Sequence, residues 1–454
     1  MKFPRLNLKP KKNTNKPNPA TKKAFRYDWY LISLLVVLLV FGLVVLASSL
    51  SIQSQNTYQS EFLKQFFFGI WIGGGLCYLF MILPYQTLFK FRYFLMGITL
   101  ISLSYLFLFI GYSFVSQSSL GANILAFNKT FSWLPFKPVF ANQALRWINI
   151  NFLPTFQPSE LAKLSILIFF AGSIGALDTI NQTTQSWKTA KDIVHWKELK
   201  LPLITLGAIV SLVIFQPDLG NVLLMIGLII GAMWITRVDL KILAGIVGIG
   251  IILSGIFIVN YSYRVNRINS FVDFATNSTV ACIKDSGGNN DQVCKVRSAL
   301  TVGGLWGKGY GNSQSKASIP EVSSDAILGV IGEELGFVGV VFLLVLYLLL
   351  FNHSLKIADQ TINIQGKFLA SGIAFWLFLQ VILNIAGITG LLPLKGAPLP
   401  FVSEGGTALV LNLLAMGILL NISSQRPSVI TNNHSATVFR PTNPFKKTQK
   451  KLKN

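Results

Sequence analysis

Six of the 17 acidic residues in this 454-residue chain lie within or at the ends of long apolar segments. An ionisable group at membrane depth is costly, so each is a candidate for a functional role or a buried ion pair. A carboxylate there can act as a general base, bind a metal ion or relay protons. The six are Glu160, Asp218, Asp325, Glu333, Glu334 and Glu404.

Asp325 follows a polar segment and begins a predicted apolar helix over 325–351. A carboxylate there, after a serine cap, could simply be stabilised by the helix dipole, or it could react with a substrate at the membrane surface. At about 100° per residue, Gly329, Gly332 and Gly336 share a face with Asp325. This face can pack closely against a neighbour or admit a substrate.

Glu333 and Glu334 lie deeper in the same predicted helix, Glu333 roughly 12 Å below Asp325. We expect both to hold helices together through buried pairs with Lys163 or an arginine. The alternative is a relay that also uses Asp218, as in an ion-coupled transporter.

The cysteines and histidines do not form a metal-binding pattern. Cys282 and Cys294 lie twelve positions apart without a nearby histidine, and His195, His353 and His434 stand alone. The sequence also has no GxxxxGK[ST] phosphate loop. These observations argue against a zinc or haem protein and an ATP-driven pump, and we expect no organic cofactor.

The charge of the chain is concentrated at its two ends. Charged residues make up 12% of the sequence, about half the usual fraction in soluble proteins, and hydrophobic residues make up 52%. Nine basic residues precede Asp28 and seven follow Ser424, without an acidic residue in either tail. This pattern argues against a cytosolic enzyme and against nucleic acid as a partner, and it fits the cytoplasmic tails of a membrane protein.

The apolar segments predict an all-α membrane protein, because a bilayer core of about 30 Å requires about 20 residues per helix. Pro217 separates two short helices that could otherwise be read as one. The ten predicted spans are 29–49, 62–83, 94–114, 159–177, 201–216, 219–236, 241–261, 325–351, 367–390 and 406–422.

Ten spans place both tails, 1–28 and 425–454, on one side of a membrane domain at 29–424. With the tails in the cytoplasm, 26 of the 39 basic residues lie inside, as the positive-inside rule requires. The segments 115–158 and 262–324 are then outside. The second, which we call the large loop, lies between predicted helices 7 and 8. Its many basic residues suggest an anionic ligand, although long loops also cross membranes regardless of charge.

Four segments in this order resemble signature blocks of the SEDS family, the FtsW/RodA/SpoVE proteins of shape, elongation, division and sporulation. The resemblance extends from about residue 30 to 424, with the same ten-span layout, and includes Arg146-Trp147-Ile148, Tyr263-Arg264, Arg267 and the run 303–314. The blocks are QPSELAKL at 157–164, QPDLG at 216–220, PEVSSDAILGVIGEELG at 320–336 and GLLPLKGAPLPFVSEGG at 390–406.

This resemblance implies a bacterial plasma-membrane enzyme that polymerises peptidoglycan glycan strands from lipid II. The family's essential aspartate, just before the eighth span, corresponds to Asp325, and Lys395 is closer to the division-type FtsW pattern. The implied partners are lipid II, the growing glycan strand, a class B penicillin-binding protein and other divisome or elongasome membrane proteins.

The expected substrate explains the charged residues of the outer face. Asp325 could act as the base, assisted by Glu321, or hold a divalent cation such as Mg²⁺ or Mn²⁺. Attack opposite the leaving group would invert an α-linked donor into a β-1,4 bond. The basic candidates for binding the pyrophosphate are Arg146, Arg264, Arg267, Lys308 and Lys395.

A lipid II flippase or a non-catalytic division scaffold is the alternative function. Either would use a similar cavity without a base.

Three departures from the family pattern set further expectations. Glu404 stands in SEGG where the family usually has SYGG, so we expect it near Lys395 or an arginine of the large loop. The segment EVSSD replaces the EAHTD of division-type members. The polar run between Asp273 and Gln292 is also distinctive, and its local structure cannot be inferred from the family.

Cys282 and Cys294 lie in the loop that we place outside, where disulfides persist. The flexible run Gly287-Gly288-Asn289-Asn290 between them can bring the two ends together. We therefore predict a disulfide, with two independent free thiols as the alternative.

Overall fold

The computed structural model describes most of the apolar part of the chain. The described residues are 27–51, 62–63, 65–115, 120–130, 133–141, 144–150, 155–174, 196–236, 291–392 and 397–425, together with 245, 248, 271, 272, 276 and 282. Most of both predicted tails and most of the seventh predicted span lie outside these residues.

The apolar runs form helices, with a π-helical segment, Gln65–Ile72, continuing directly into α2. The α-helices are α1 Trp29–Leu50, α2 Gly73–Ile82, α3 Gln86–Lys90, α4 Arg92–Val115, α5 Leu120–Thr130, α6 Pro158–Ile174, α7 Trp196–Phe215, α8 Leu219–Ile235, α9 Asp291–Gly303, α10 Ile327–Gln360, α11 Ile364–Ile388 and α12 Gly406–Ser424.

Six helical segments in the described part of the chain are long and apolar enough to cross a membrane. They are α1, the segment Gln65–Ile82, α4, α10, α11 and α12. Two shorter apolar stretches, Leu199–Phe215 and Leu219–Ile235, end and begin around Pro217 as expected. The chain is a multi-pass helical membrane protein, and the count of ten spans stays a prediction.

A two-stranded β-hairpin, which the sequence did not predict, interrupts the otherwise helical architecture. Strands β1, Phe136–Ala141, and β2, Ala144–Ile150, pair antiparallel, with an irregular register between Val139 and Phe140. Leu145 and Ile148 of β2 pack with Leu106 of α4 and Ile124 of α5. This small apolar cluster fixes the hairpin beside the helices. Both strands lie within the segment 115–158, which we predicted to be a loop.

Helix α6 lies at the centre of the fold, and most of its residues are buried. It packs against α4, α7 and α11, while α12 packs against α2 and α8 against α11. One large apolar core connects these helices. The central position of α6 explains how Ser159, near its start, reaches Asp218 of the QPDLG block.

The eighth span differs from its predicted form. Helix α10 begins at Ile327, so Asp325 precedes the helix, and the residue before the helix is Ala326, which has no capping group. The helix is broken at Gly336, where φ is +68° and ψ is −167°. An N-terminal dipole after a serine cap therefore does not account for Asp325.

The glycine face of α10 packs against its neighbours. A Cβ on Gly329 would lie 3.2 Å from the side chain of Ile319 and 3.3 Å from that of Val296 in α9. A Cβ on Gly332 would overlap the side chain of Leu300 in α9. Of the two roles open to this face, close helix packing is the observed one.

Candidate active site

Asp325 lies in a tight turn directly before α10. The N–H groups of Ser324 and Ala326 both donate to the carbonyl of Glu321, at 3.2 and 3.1 Å, and Glu321 has a left-handed φ of +49°. The carbonyl of Asp325 accepts a hydrogen bond from Nδ2 of Asn384 on α11, at 2.8 Å. The backbone of Asp325 is thus fixed, while its side chain is partly exposed.

The environment raises the pKa of the Asp325 carboxyl from 3.8 to about 7. The largest cause is desolvation by the surrounding protein, followed by the negative charge of Glu321. The guanidinium of Arg146 lowers the pKa, and the charge of Asp218 raises it. A carboxyl that titrates near neutral pH is well suited to general base catalysis.

Arg146 reaches the site from strand β2. Its Nε donates to the carbonyl of Gln216 at 3.3 Å, and an Nη donates to the carbonyl of Pro217. The hairpin is therefore tied to the QPDLG block between α7 and α8. The same contacts place a fixed positive charge close enough to Asp325 to act on its carboxylate.

Asp218 gathers two signature blocks around one carboxylate. Its Oδ2 accepts hydrogen bonds from Gln157 at 3.2 Å, Ser159 at 3.1 Å and the side chain of Asn221 at 2.8 Å. Its Oδ1 accepts from the N–H of Asn221 at the start of α8, at 3.4 Å. These donors occupy the carboxylate and join QPSELAKL to QPDLG.

Lys163 pairs within its own helix. Its Nζ lies 2.7 Å from Oε1 of Glu160, both side chains are buried, and the ammonium lies 5.1 Å from the ring centre of Trp376. Oε2 of Glu160 has no hydrogen-bond partner among the described residues. Lys163 is therefore not the partner of Glu333 or Glu334 that the sequence led us to expect.

The partner of Glu333 is Lys308, whose Nζ lies 2.9 Å from Oε1. Glu333 also accepts hydrogen bonds from the hydroxyl of Ser313 at 2.7 Å and from the N–H groups of Gln314 at 3.2 Å and Ser315 at 3.1 Å. The buried pair is thus made with a lysine of the large loop. Because its ammonium is already paired, Lys308 is less suited to the expected pyrophosphate role.

Glu334 binds a second lysine of the same loop. Nζ of Lys316 lies 3.6 Å from Oε1 of Glu334, and the hydroxyl of Ser48 on α1 donates to the same oxygen at 2.5 Å. Lys316 also donates to the carbonyl of Ser48 and the hydroxyl of Ser51, at 3.2 and 3.0 Å. Glu334 therefore connects α1, α10 and the loop.

The fourth signature block is held beside Asp325 by polar residues of α11 and the segment before α2. Gln380 donates to the carbonyl of Pro398 at 2.7 Å, and Asn384 donates to that of Ala397 at 2.6 Å. The N–H of Glu404 donates to the carbonyl of Ser323 at 2.9 Å. The side chain of Gln65 donates to the carbonyl of Ser403 at 3.2 Å and accepts from the N–H of Gly405 at 3.3 Å.

Several predicted site residues lie outside the described part of the chain. These are Arg264, Arg267 and Lys395, so the expected pairing of Glu404 with Lys395 stays a prediction.

The predicted disulfide is confirmed. Cys282 and Cys294 are joined in the structure, and Cys294 belongs to α9.

Comparison with known proteins identifies the family. Residues 132–428 match the FtsW/RodA/SpoVE family, which is described as a cell cycle protein family. The chain belongs to this family. A probable peptidoglycan glycosyltransferase FtsW of Geobacter sulfurreducens is 31% identical over 411 residues, covering 89% of this chain and 97% of the relative. Its counterpart in Geobacter sp. strain M18 is 34% identical over 290 residues, 63% of this chain and 72% of that protein.

Solved structures share the fold of this FtsW/RodA/SpoVE protein. A chain from a peptidoglycan synthase complex, described as coordinating polymerization and crosslinking, matches with a TM-score of 0.62 at 22% identity. The match covers 87% of this chain and 97% of the other. The rod-shape-determining protein RodA of Thermus thermophilus matches with a TM-score of 0.56 at 22% identity, covering 89% and 98% of the two chains.

Sequence reasoning missed the residues that position the site. Trp376, Gln380 and Asn384 recur every four residues on α11 and are all buried, as polar positions on one helical face. This spacing in an apolar helix was a usable signal. Gln65 and Lys316 offered no comparable pattern, because their partners are distant in sequence.

Proposed function

We propose that this protein is a peptidoglycan glycosyltransferase of cell division or cell-shape maintenance. It transfers the disaccharide of lipid II to a growing β-1,4 glycan strand and releases polyprenyl pyrophosphate. The observation that carries the proposal is the Asp325 carboxyl, with its pKa raised to about 7, in a fixed turn near Arg146. The names of the FtsW relatives support the same activity.

In the proposed reaction Asp325 acts as the general base. Its carboxylate accepts the proton of the acceptor hydroxyl while that oxygen bonds to the anomeric carbon of the donor. The bond from this carbon to the pyrophosphate oxygen breaks, and its electron pair leaves with the pyrophosphate. A single displacement from the opposite face inverts the anomeric configuration and requires one base.

Arg146 is the proposed cation for the leaving pyrophosphate. The guanidinium has five N–H donors, and two nitrogens are already oriented by the carbonyls of Gln216 and Pro217. The remaining donors suit phosphate oxygens. Arg264, Arg267 and Lys395 remain proposed as further cations of this site.

A divalent cation is compatible with the carboxylates near Asp325. The described residues contain no group of three or more His, Cys, Asp or Glu side chains that could hold a metal ion. Mg²⁺ commonly uses only one or two carboxylates together with substrate phosphates, and Asp325 and Glu321 supply two. In the alternative role of Asp325, this carboxylate and Glu321 would hold Mg²⁺ or Mn²⁺, which would neutralise the leaving pyrophosphate, and Asp325 would then not be the base.

Ion-coupled transport is a poorer explanation of the buried acids. Such a relay requires carboxylates that are free to exchange protons through the membrane. Asp218 accepts from three side chains, and Glu333 and Glu334 are each bound to a lysine and a serine. A lipid II flippase or a non-catalytic scaffold remains the alternative that an activity assay must separate.

The proposed setting is the bacterial plasma membrane, with both termini in the cytoplasm. The proposed partners are a class B penicillin-binding protein and other membrane proteins of the divisome or elongasome. One of the solved structures with the same fold comes from a complex that coordinates polymerization with crosslinking, which supports a transpeptidase partner. Nucleic acid has no place in this proposal.

The direct assay uses the purified full chain and lipid II, with and without a class B penicillin-binding protein. Glycan strands separated on a gel are expected, and amounts that fall on chelation and recover with Mg²⁺ or Mn²⁺ would assign the cation-binding role to Asp325. A yield of glycan strands that does not change on chelation would support the polymerase activity and reject a bound divalent cation. Lipid II movement across vesicles without glycan product under any condition would favour the flippase.

A further inference from the structure

The segment 304–310 of the large loop pairs its backbone with the break in α10. The N–H groups of Lys308 and Gly309 donate to the carbonyls of Glu333 and Glu334, at 2.9 and 3.0 Å. Gly304 accepts from the N–H of Phe337 at 2.9 Å. The backbone groups released by the broken helix are thus satisfied by the loop, as irregular backbone near a membrane requires.

The approach is close enough to require glycine on both sides. Gly307 has φ +78° and Gly336 has φ +68°, and a Cβ on either residue would overlap the backbone of the opposite segment. Tyr310 fixes the other end of the segment, since its hydroxyl donates to the carbonyl of Val44 in α1 at 3.0 Å. The segment therefore has a definite position along both α1 and α10.

The charged ends of these two helices provide a reference for depth. Asp28 precedes α1, and its Oδ2 lies 2.9 Å from Nε2 of His353 in α10. At 1.5 Å per residue, Val44 lies about 24 Å along α1 from Asp28, and Phe337 lies about 24 Å along α10 from His353. Since a hydrocarbon core is about 30 Å thick, the segment 304–310 lies near its outer boundary if the pair marks the inner one.

The side chains of this segment point away from the protein. Trp306 is 80% exposed, Leu305 64% and Tyr310 54%. They continue the exposed apolar surface formed by Phe337 of α10 and Val44 of α1. Tryptophan and tyrosine are enriched where the hydrocarbon core meets the lipid headgroups, and this surface is continuous with the membrane-facing sides of both helices.

We propose that the segment 304–310 is an anchor in the outer leaflet of the bilayer. Leu305 and Trp306 lie among the upper parts of the lipid chains, and Tyr310 lies at the headgroup boundary. The large loop is thereby held against the membrane at the break in α10. This role requires no substrate and is independent of the proposed glycosyl transfer.

The test measures the depth of a nitroxide spin label at Trp306→Cys in the full chain. The chain is reconstituted in nanodiscs of phosphatidylcholine and phosphatidylglycerol, in a Cys77→Ala background. Val40→Cys, on the exposed apolar face of α1, is the lipid control, and Ser318→Cys, exposed beyond the end of α1, is the water control. Collisions with oxygen and with a water-soluble nickel chelate are compared by power saturation.

The expected oxygen-to-nickel collision ratio at position 306 lies below that at position 40, which is near the centre of the bilayer, and severalfold above that at position 318. A ratio like that of position 318 would overturn the anchor, because it would place the segment in water. Protection from both reagents would also overturn it in favour of a protein contact. Leu305→Cys provides the same reading if Trp306→Cys does not fold.

Discussion

At the scale of single residues, the environment of Asp325 determines what its carboxyl can do. Desolvation and the charge of Glu321 hold its pKa at about 7, and Arg146 prevents a larger shift. A base must be ionised before it accepts a proton. The activity of the protein should therefore depend on the titration of this one group.

The first prediction is that kcat/KM for lipid II polymerisation falls as the pH drops through about 7. Below this pKa the ionised fraction, and with it the rate, should decrease about tenfold per pH unit. Initial rates measured between pH 5.5 and 8.5 give the profile. A rate that is constant down to pH 5.5 would show that Asp325 does not titrate as the essential base.

The same shift has a consequence for stability. The folded-state pKa of Asp325 lies above its ordinary value of 3.8, so ionisation favours the unfolded chain. The contribution of the protonated carboxyl is complete below pH 3.8 and is lost as the pH rises through about 7. Asp325→Asn should therefore gain thermal stability relative to the wild type between pH 6 and pH 8, which provides a control independent of activity.

Asn384 provides the second prediction, because it holds the backbone of Asp325. Asn384→Ala removes the bonds to the carbonyls of Asp325 and Ala397 and should lower kcat more than it raises KM. Its cost in stability should be about 1–3 kcal/mol, as for unsatisfied buried carbonyls. The matched control is Asn412→Ala, an equally buried asparagine of α12.

The pH profile distinguishes positioning from a purely structural effect. If Asn384 positions Asp325, the inflection near pH 7 should move in Asn384→Ala and stay in Asn412→Ala. Equal losses in both variants, with unchanged inflections, would reduce Asn384 to a packing role.

At this scale the sequence identified the charged residues but not all of their partners. Asp325, Asp218 and Glu333 were recognisable because acids are rare in apolar segments. The partners of Glu333 and Glu334 were not, since Lys308 and Lys316 come from a loop whose path the helical periodicity does not determine.

At the scale of elements, Glu333 connects α10 to the loop 308–316. Its carboxylate has one ion pair and accepts hydrogen bonds from three consecutive residues, beginning with Ser313. Removal of one partner from a buried pair leaves the other charge without compensation. The loop should therefore loosen when the charge of Glu333 is lost.

The third prediction is that Glu333→Gln lowers the stability of the folded protein by about 3 kcal/mol. The control is Asp359→Asn, which breaks the pair with Lys367, because Asp359 is 84% exposed and the change should cost less than about 1 kcal/mol. Thermal unfolding in one detergent measures both. Equal small shifts would show that the buried pair contributes no more than the exposed one.

The elements also show where local pattern was sufficient. Hydrophobic runs predicted α1, α4 and α11 because each apolar segment is long enough to span the hydrocarbon core of a bilayer. The break at Gly336 and the hairpin β1–β2 were not predicted. Both depend on backbone pairing with segments distant in sequence, which hydropathy does not encode.

At the scale of the whole molecule, membrane topology places the site. The pair between Asp28 and His353 joins the start of α1 to the lower part of α10, and Asp325 lies beyond the opposite end of α10. If the basic tail 1–28 is cytoplasmic, as we propose, this arrangement directs Asp325 outward, where a lipid-linked sugar would be used.

The fourth prediction is that reporter fusions after Tyr261 and after Ser424 report opposite sides of the membrane. The charge partition of the tails and loops places the first fusion outside and the second in the cytoplasm. A periplasm-active and a cytoplasm-active reporter at each point provide reciprocal signals. Fusions on the same side would contradict the ten-span topology.

The family and the general fold were accessible from the sequence because four signature blocks retain their order. The structure adds how they meet: Asp218 joins the first two blocks, and the bond from Glu404 to Ser323 joins the last two. These contacts depend on helix packing over long sequence separations, so spacing alone could not predict them.

The most direct test of the account is glycan synthesis from lipid II by purified Asp325→Asn. This change keeps the size of the side chain and removes its basicity, so the rate should fall at least about a hundredfold. Thermal unfolding and binding of the transpeptidase should show that the variant remains folded. Near-normal strands from such protein would contradict the catalytic assignment of Asp325 and favour the transport alternative.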